Sequence, residues 1–278
     1  MEEKCLLGVF AHPDDESFAV GGVLRMCADA GIRTALVCAT RGEGGEISDP
    51  ALATPDTLGQ VRERELRDAC AILGVSDLTF LDYTDGALAR APREEAVGRL
   101  VGQIRRLRPQ VVATFDANGG YGHTDHIAIH QITNQAFEQA GDPTCYPEQL
   151  AEGLRPYAPQ KLYYSALARS AGSQLRAYLQ SAGINFTPGG DQATIPPEQM
   201  GTPDELITTV IPLDDRLYET KLRAWAAHRT QNSADDFLSR LPPDIGRILR
   251  GTERFVLAQP PGAPGNGAEH DLFAGVAL

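Results

Sequence analysis

Histidine and carboxylate side chains are concentrated in two short stretches of this 278-residue chain. Residues 11–16 read Ala-His-Pro-Asp-Asp-Glu and follow an apolar run. Residues 117–126 are rich in glycine, end in His-Thr-Asp-His, and also follow an apolar run. Imidazole and carboxylate groups are common protein ligands of zinc and of other divalent first-row metals. The two stretches therefore indicate a metal site with groups left over for catalysis.

Three residues of these stretches make a suitable set of ligands. His12 and Asp15, spaced as His-x-x-Asp, offer a nitrogen and a carboxylate oxygen, and His126 offers a second nitrogen. Catalytic zinc usually has three protein ligands and an open position for water. Asp14 lies between the first two and remains free to act as a base. Such mixed ligands suit Zn²⁺, and also Fe²⁺ or another divalent metal.

Each stretch has a simpler interpretation when it is taken alone. An Asp-Asp pair after a strand is more often a helix cap or a solvated turn, and a histidine in a glycine loop is more often a turn residue. Two such clusters, both placed where a predicted strand ends, favour one shared metal site. His130 lies four residues after His126 on the same helix face, and we interpret it as structural.

Predicted strands and helices, which would position these groups, alternate along the chain. Residues 5–10 are a continuous apolar run, typical of a strand covered on both faces. Strands are predicted near 4–11, 33–40, 77–82 and 109–116, and helices near 18–30, 57–73, 93–107 and 124–140. The alternation predicts an α/β, Rossmann-like fold with a largely parallel sheet flanked by helices. Ligands of such sheets bind at the carboxyl ends of the strands, where both stretches fall.

The C-terminal half has a less regular pattern. We expect a fifth strand over 161–167, a helix over 213–229 and an edge strand over 252–258. Segments 141–160 and 185–205 are rich in proline and glycine, and we interpret them as loops around the mouth of a pocket or as plain surface insertions. The predicted organisation is a single domain over 1–258, with a core at 1–140 and an irregular elaboration at 141–258, followed by a flexible tail at 259–278.

The two stretches give the chain a resemblance to a known family. Ala-His-Pro-Asp-Asp-Glu at 11–16, paired with Tyr-Gly-His-Thr-Asp-His at 121–126, resembles the LmbE-like deacetylases. This is the N-acetylglucosaminyl-phosphatidylinositol de-N-acetylase (PIG-L) family, which includes the mycothiol and bacillithiol pathway deacetylases. Weaker matches at 40–45, 62–65 and 221–231 extend the similarity over residues 5–231.

The resemblance implies roles for individual residues. The three ligands named above would bind the metal, and Asp14 would be the general base. His123 would stabilise the oxyanion or protonate the leaving amine, with Asp125 orienting it. The chemistry of amide cleavage needs such donors in any case, and Tyr121 is the other nearby candidate in the sequence.

Substrate contacts follow from the same resemblance. The family places sugar-binding groups at the carboxyl edge of the sheet, and the matching positions here are Arg41, Glu43, Arg62, Asp85 and His228. Two of these have equally good alternatives. Arg62 also fits a solvated helix face with intrahelical ion pairs, and His228 fits a satisfied surface histidine near the end of a helix.

Composition limits the classes of partner. A net charge of −12 disfavours binding to nucleic acid and to anionic membranes. No run approaches the roughly 20 apolar residues of a membrane span, and the start of the chain lacks a signal-peptide pattern. The five cysteines are scattered without Cys-x-x-Cys spacing, which favours reduced thiols and a cytoplasmic location. The expected partner is a small molecule, and the oligomeric state stays open.

The sequence therefore predicts a metal-dependent amide hydrolase that removes the acetyl group of an N-acetylglucosamine-type sugar or conjugate. Attack by metal-activated water is the simpler mechanism, because no nucleophilic serine or cysteine motif is present. One alternative is an amidase of the same family that acts on larger thiol-sugar conjugates. Phosphoester cleavage is disfavoured, since it normally uses two metals about 4 Å apart. A non-catalytic sugar- or metal-binding protein would have no use for an uncoordinated Asp14.

Overall fold

A computed structural model describes residues 3–184, 195–196, 199–232, 241–260 and 269–277 of the chain. Its strands are β1 (Cys5–Phe10), β2 (Arg33–Cys38), β3 (Asp77–Phe80), β4 (Val111–Thr114), β5 (Lys161–Ser165), β6 (Thr209–Pro212) and β7 (Thr252–Gln259). They form one sheet in the order β3-β2-β1-β4-β5-β7-β6. The first five strands are parallel to one another, and β7 is antiparallel to both β5 and β6.

Helices connect the parallel strands and cover the sheet. They are α1 (Asp15–Ala19), α2 (Gly21–Asp29), α3 (Leu58–Leu73), α4 (Arg93–Leu107), α5 (Gly119–Gly122), α6 (Thr124–Gln139), α7 (Pro147–Ala151), α8 (Arg169–Ser181), α9 (Asp215–Ala227) and α10 (Pro243–Arg250). Helices α2, α3 and α9 pack together, and α4 packs with α6. Every residue of β1 and β4 is buried, as their continuous apolar runs require in a sheet with helices on both faces. Within the described residues, no helix is long and apolar enough to cross a membrane.

The predicted α/β fold is confirmed, and the elements of the N-terminal half differ from their predicted bounds by at most three residues. The helix predicted near 18–30 is interrupted at Val20 and therefore appears as α1 and α2. All five cysteines are free thiols, and four of them are buried.

The predicted position of the last strand is wrong. Residues 252–258 were expected at an edge of the sheet, but β7 lies between β5 and β6. The edge is occupied by β6, a four-residue strand that the sequence pattern did not reveal. Such a short strand carries too few alternating positions to give a period-2 signal.

Segment 141–160 lies away from the mouth of the pocket. It connects the end of α6 to the start of β5, and the amide N–H of Gln160 bonds to the carbonyl of Gln110 just before β4 begins. These are the amino ends of the strands, opposite the edge where ligands bind. The guanidinium of Arg105 holds the segment against α4 by donating to the carbonyls of Asp142 and Cys145 at 2.8 Å. The interpretation as a pocket loop is wrong for this segment; 185–194 and 197–198 lie outside the described residues.

The predicted flexible tail is also wrong for the part that the structure describes. Gln259 ends β7, and residues 269–277 pack on the body of the protein. Leu272 and Phe273 are buried in the main hydrophobic core, and Glu269 forms a parallel bridge with Thr209 of β6. Two large apolar side chains are enough to hold a short terminal segment in place.

Candidate active site

The chain turns sharply after β1 and presents the polar side chains of His12, Asp14 and Asp15. The backbone N–H groups of Ala11 and His12 donate to Oδ2 of Asp15 at 3.1 and 2.8 Å, and this closes the turn. Asp14 adopts φ 112°, in the left-handed region that favours glycine. The turn therefore directs His12 and Asp15 to one side while Asp14 stands between them on a strained backbone.

The loop after β4 brings the second histidine to the same place. Gly119 adopts φ 59°, and its carbonyl oxygen accepts a hydrogen bond from Nδ1 of His126 at 3.1 Å. A Cβ atom at Gly119 would lie only 2.6 Å from Cβ of His126, so glycine is required for this approach. Phe115 stacks on the imidazole ring with centroids 4.1 Å apart. With Nδ1 used as a donor, Nε2 of His126 is left with its lone pair facing His12 and Asp15.

The three predicted ligands converge in the structure. Nε2 of His126 lies 3.1 Å from Nδ1 of His12 and 3.4 Å from Oδ1 of Asp15, and Nδ1 of His12 lies 3.7 Å from Oδ2 of Asp15. Ligand atoms at about 2.0–2.2 Å from a tetrahedral zinc ion lie roughly 3.3–3.6 Å from one another. All three side chains are at least nine-tenths buried. The three side chains therefore lie close enough to contact one metal ion, with His12 and His126 approaching different oxygens of Asp15.

The charges around the site also fit a cation. Burial raises the pKa of Asp15 to about 7, with the charge of His12 opposing and that of Asp14 adding to the shift. Burial lowers the pKa of His126 well below its ordinary range, and the neighbouring His12 and His123 lower it further. Crowded buried carboxylates are stabilised by a divalent ion, which relieves the repulsion between the acids.

Two overlapping groups share His12 with this set. Ligand atoms of His12, His123 and His126 lie within 4.8 Å of one another, and so do those of His12, Asp85 and Asp125. Both carboxylate oxygens of Asp125 are already occupied, since they accept the N–H groups of Gly86 at 2.7 Å and Leu88 at 3.1 Å. We therefore favour the set with Asp15 over the set with Asp125.

Asp14 and Arg62 form a buried pair beside the ligands. Nη2 of Arg62 lies 3.2 Å from Oδ2 of Asp14 and also donates to the carbonyl oxygen of Pro13 at 2.6 Å, while Nη1 donates to the carbonyl of Gly42 at 2.8 Å. Burial raises the pKa of Asp14, and the charges of Arg62 and His228 oppose the rise. Arg62 is thus a buried clamp rather than part of a solvated helix face.

His123 and Asp125 lie close together, but the described hydrogen bond between them uses the backbone N–H of Asp125 and not its carboxylate. The N–H of Asp125 donates to Nδ1 of His123 at 3.1 Å, which caps α6. The carboxylate of Asp125 lies on the side of His12, 3.5 Å from its Nε2. The orienting role predicted for Asp125 towards His123 stays a prediction, as does the acid or oxyanion role of His123.

Asp85 contacts His12, and Glu43 is bonded to the backbone of Asp85. Oδ1 of Asp85 lies 2.9 Å from Nε2 of His12, at an angle that makes the contact electrostatic rather than a hydrogen bond. Burial lowers the pKa of His12, but the carboxylates of Asp125 and Asp85 outweigh it and raise that pKa to about 10. Oε1 of Glu43 accepts the N–H of Asp85 at 3.0 Å. Their predicted sugar contacts stay predictions.

The described contacts of Arg41 are with acidic and aromatic side chains rather than with the three ligands. Its Nε donates to Glu63 at 2.5 Å, another guanidinium nitrogen bonds to Asp82, and the group lies over the ring of Phe80. Together with Glu43 it lines a cavity of about 280 Å³ beside the site. Arg41 can therefore contact only a part of a substrate that extends beyond the metal centre.

Tyr121 borders the histidines from the loop after β4. Its ring is edge-on to His126 at 5.2 Å and to His123 at 6.0 Å. Burial raises the pKa of its phenol, and the charges of Asp15 and Asp14 raise it further, so the hydroxyl remains protonated and able to donate. Its role as an oxyanion donor stays a prediction.

His228 lies behind the site and is fully buried. Its Nε2 lies 2.9 Å from Oε1 of Glu16, and both side chains are almost inaccessible to solvent. It is therefore not the surface histidine of the alternative interpretation, and its substrate contact stays a prediction. His130 bonds through Nδ1 to the carbonyl of Phe115 at 2.8 Å, as a structural residue would.

Sequence reasoning missed two carboxylates that are buried in the core, one beside the site and one bonded to the turn after α9. Glu16 accepts the N–H of Asp14 at 3.0 Å, and Glu65 accepts both the N–H and the hydroxyl of Thr230 at 2.8 and 2.6 Å. Nothing in their spacing separates buried acceptors from ordinary acids in the first turn or on the face of a helix. The one available signal is that both lie one to three residues from a residue of the site.

Comparisons with known proteins identify a matching family and relatives that cover nearly the whole chain. The family described as GlcNAc-PI de-N-acetylase (PIG-L) matches residues 7–137. The 1D-myo-inositol 2-acetamido-2-deoxy-alpha-D-glucopyranoside deacetylase of Acidothermus cellulolyticus is 38% identical over 98% of this chain and 95% of its own length. Deacetylase 1 of the same name from Frankia alni is also 38% identical, over 96% of this chain and 99% of its own.

A solved structure shows the same fold. The N,N'-diacetylchitobiose deacetylase from Pyrococcus horikoshii superimposes with a TM-score of 0.68 at 22% identity, covering 99% of this chain and 87% of that one. Fold and site together define a Rossmann-like protein with a buried His/Asp cluster, able to hold a metal ion, at the carboxyl edge of its sheet. With full-length relatives at this level of identity, the chain belongs to the PIG-L family of de-N-acetylases.

Proposed function

We propose that this protein is a metal-dependent deacetylase that removes the acetyl group of N-acetylglucosamine linked to inositol. The relatives that match over nearly the whole chain are named for a deacetylase of that compound, 1D-myo-inositol 2-acetamido-2-deoxy-alpha-D-glucopyranoside. The observation that carries the proposal is the convergence of His12, Asp15 and His126 around one point, with Asp14 beside them. A small-molecule substrate and a cytoplasmic location are part of the proposal.

The metal proposed at these ligands is Zn²⁺, with Fe²⁺ or another divalent ion as the alternative. Such an ion polarises the acetyl carbonyl and lowers the pKa of water beside it to about 7. The two nitrogens and one oxygen of the set suit either ion, and the geometry does not favour one of them.

The residues of the chain perform the remaining tasks. Asp14, whose pKa is raised by burial, takes a proton from the attacking water as a base of moderate strength. His123 donates a proton to the departing amine, and Tyr121 donates a hydrogen bond to the oxygen on which negative charge develops. Arg62 keeps the Asp14 carboxylate in place. Arg62 and His123 are buried and Asp14 and Tyr121 are partly buried, which limits the access of bulk water and strengthens these interactions.

The experiment that tests this function is acetate release from a panel of N-acetylglucosamine compounds. The panel contains the inositol conjugate, a malate conjugate, chitobiose and the free sugar, each with metal-stripped protein and with protein reloaded with Zn²⁺ or Fe²⁺. We expect metal-dependent release, fastest with the inositol conjugate. Release that persists in stripped protein, or no release from any compound with stoichiometric metal bound, would overturn the proposal.

The ligand set has its own test. His126→Ala removes one of the three proposed ligand atoms, so we expect metal affinity to fall by about 10²-fold or more, to be measured by competition with a chelator. His130→Ala on the same helix is the matched control and should bind metal as the parent does. Equal affinity in the His126 variant would mean that His123 is a ligand in its place.

A further inference from the structure

One peptide group of the site is held at both of its polar ends. In the peptide that joins Pro13 to Asp14, the carbonyl oxygen of Pro13 accepts a hydrogen bond from Nη2 of Arg62 at 2.6 Å. The N–H of the same peptide, which belongs to Asp14, donates to Oε2 of Glu16 at 3.0 Å. A buried cation and a buried carboxylate thus fix the plane of this peptide from its two ends.

The need for such a clamp follows from the conformation of the next residue. Asp14 has φ 112° and ψ −28°, a combination that side-chain-bearing residues rarely adopt. A residue stays in a sparsely populated region only when the surrounding structure holds it there. Rotation of the clamped peptide would change φ of Asp14 and would swing its carboxylate away from the ligands.

Glu16 is in turn held by His228. The second oxygen of Glu16, Oε1, lies 2.9 Å from Nε2 of His228 and accepts the hydroxyl of Ser17 at 2.5 Å. Glu16 is 1% exposed and His228 0%, so no water competes for these bonds. The hydrogen-bond chain therefore runs from His228 at the end of α9 through Glu16 to the backbone of Asp14.

We infer that Glu16 and His228 are positioning residues for the general base Asp14, and that they act by holding the peptide before it. This inference rests on the proposed deacetylase function. It differs from the substrate contact predicted for His228, because the imidazole is fully buried and its Nε2 contacts Glu16. A positioning role affects turnover, whereas a substrate contact affects mainly KM.

The first test compares two substitutions at one position. The amide nitrogen of His228→Gln reaches the place of imidazole Nε2 and can donate to Glu16, whereas the amide of His228→Asn reaches only the place of Nδ1. We expect kcat of His228→Asn to fall about 10- to 100-fold, with metal content and KM within about twofold of the parent. His228→Gln should recover most of the loss in kcat. A rise in KM at unchanged kcat would overturn the inference.

A matched control separates positioning from loss of stability. Thr230→Val removes a hydroxyl that is equally buried and bonded to Glu65, two residues from His228, without touching Glu16. Its Tm should fall by an amount comparable to that of His228→Asn, while its kcat, measured well below Tm, should match that of the parent. An equal fall in kcat in both variants would mean that His228 is only structural.

A double substitution tests the path through Asp14. In an Asp14→Asn background, where the base is already lost, His228→Asn should cause no further loss of residual turnover. A further loss of the same factor would show that His228 acts elsewhere and would overturn the inference. Failure of the proposed function is distinguishable, because the metal-loaded parent would then release no acetate at all.

Discussion

At the scale of single residues, the conformation of Asp14 connects folding to chemistry. Its φ of 112° costs about 1–3 kcal/mol in a residue other than glycine, and a glycine here would relieve the strain but remove the carboxylate. The cost is offset by contacts with Arg62 and Glu16 that no other conformation would allow. An aspartate in a conformation that favours glycine is expected where the carboxylate itself has a function, here that of the proposed general base.

Asp14→Asn separates base catalysis from metal binding. Asparagine tolerates positive φ and has the size of aspartate, so the fold and the ligands should persist. We expect metal content to equal that of the parent and kcat to fall about 10²–10⁴-fold, the usual contribution of a general base. The measurement is metal analysis beside steady-state acetate release. Lost metal would mean that Asp14 rather than Asp15 is the carboxylate ligand.

At the scale of elements, two loops after neighbouring parallel strands build the site. β1 and β4 pair in register from Leu6 with Val111 to Gly8 with Ala113, so their carboxyl ends lie side by side. The loop after β1 supplies His12 and Asp15, and the loop after β4 supplies His126 through its glycines. Residues separated by more than a hundred positions in sequence therefore meet without any special connection.

Two glycines in the loop after β4 allow a matched comparison. A Cβ atom at Gly119 would lie 2.6 Å from Cβ of His126 and 2.9 Å from N of Ile127, whereas one at Gly120 would meet nothing within 4 Å. Both residues have positive φ, so alanine is strained at either position. We expect Gly119→Ala to weaken metal binding at least tenfold more than Gly120→Ala, because only it displaces His126. Equal metal affinities in chelator competition would contradict this account of the loop.

At the scale of the whole molecule, the C-terminal segment completes the far side of the sheet. Glu269 accepts hydrogen bonds from Lys161 at 2.7 Å, Tyr163 at 2.6 Å and Thr209 at 2.9 Å, and thereby joins β5, β6 and the segment. Leu272 is buried among the residues of the main core. The segment is therefore part of the folded domain rather than an appendage.

The core contact of this segment predicts a loss of stability on truncation of one side chain. Leu272 is 1% exposed, so Leu272→Ala should lower the free energy of unfolding by about 2–5 kcal/mol. Leu206, which is 48% exposed, provides the control, and its replacement by alanine should change stability by less than about 0.5 kcal/mol. Denaturant unfolding of the two variants makes the comparison. Equal effects would mean that residues 269–277 do not pack as described.

The hydrogen bonds of Glu269 also lead us to expect that its contribution to stability depends on pH. Burial raises the pKa of Glu269, but the hydrogen bonds from Lys161, Tyr163 and Thr209 outweigh it, and the net pKa is lowered. A depressed pKa in the folded state adds stability above the unfolded pKa of about 4.3, and this stability is lost as the pH falls through the folded value. The Tm difference between the parent and Glu269→Gln should therefore shrink from pH 7 to pH 3.5. A constant difference would show that the carboxylate charge contributes nothing.

Several features of this protein could be predicted from local patterns of residues. Continuous apolar runs specified β1 and β4, and the alternation of strands and helices specified the parallel half of the sheet. The spacing His-x-x-Asp and the glycine-rich stretch before His126 indicated the metal site and the family, and the comparisons confirmed the family. These features depend on residue type and on separations of a few positions, and so are visible without coordinates.

Other features depend on contacts between residues far apart in sequence and could not be predicted from local patterns. Glu16 and His228 are 212 positions apart, and their pairing arises from the packing of α1 against α9. The place of β7 inside the sheet and the burial of residues 269–277 depend in the same way on which surfaces remain uncovered after the parallel strands have assembled. The sequence shows whether each residue is apolar or polar, but its packing or hydrogen-bond partner depends on the tertiary fold.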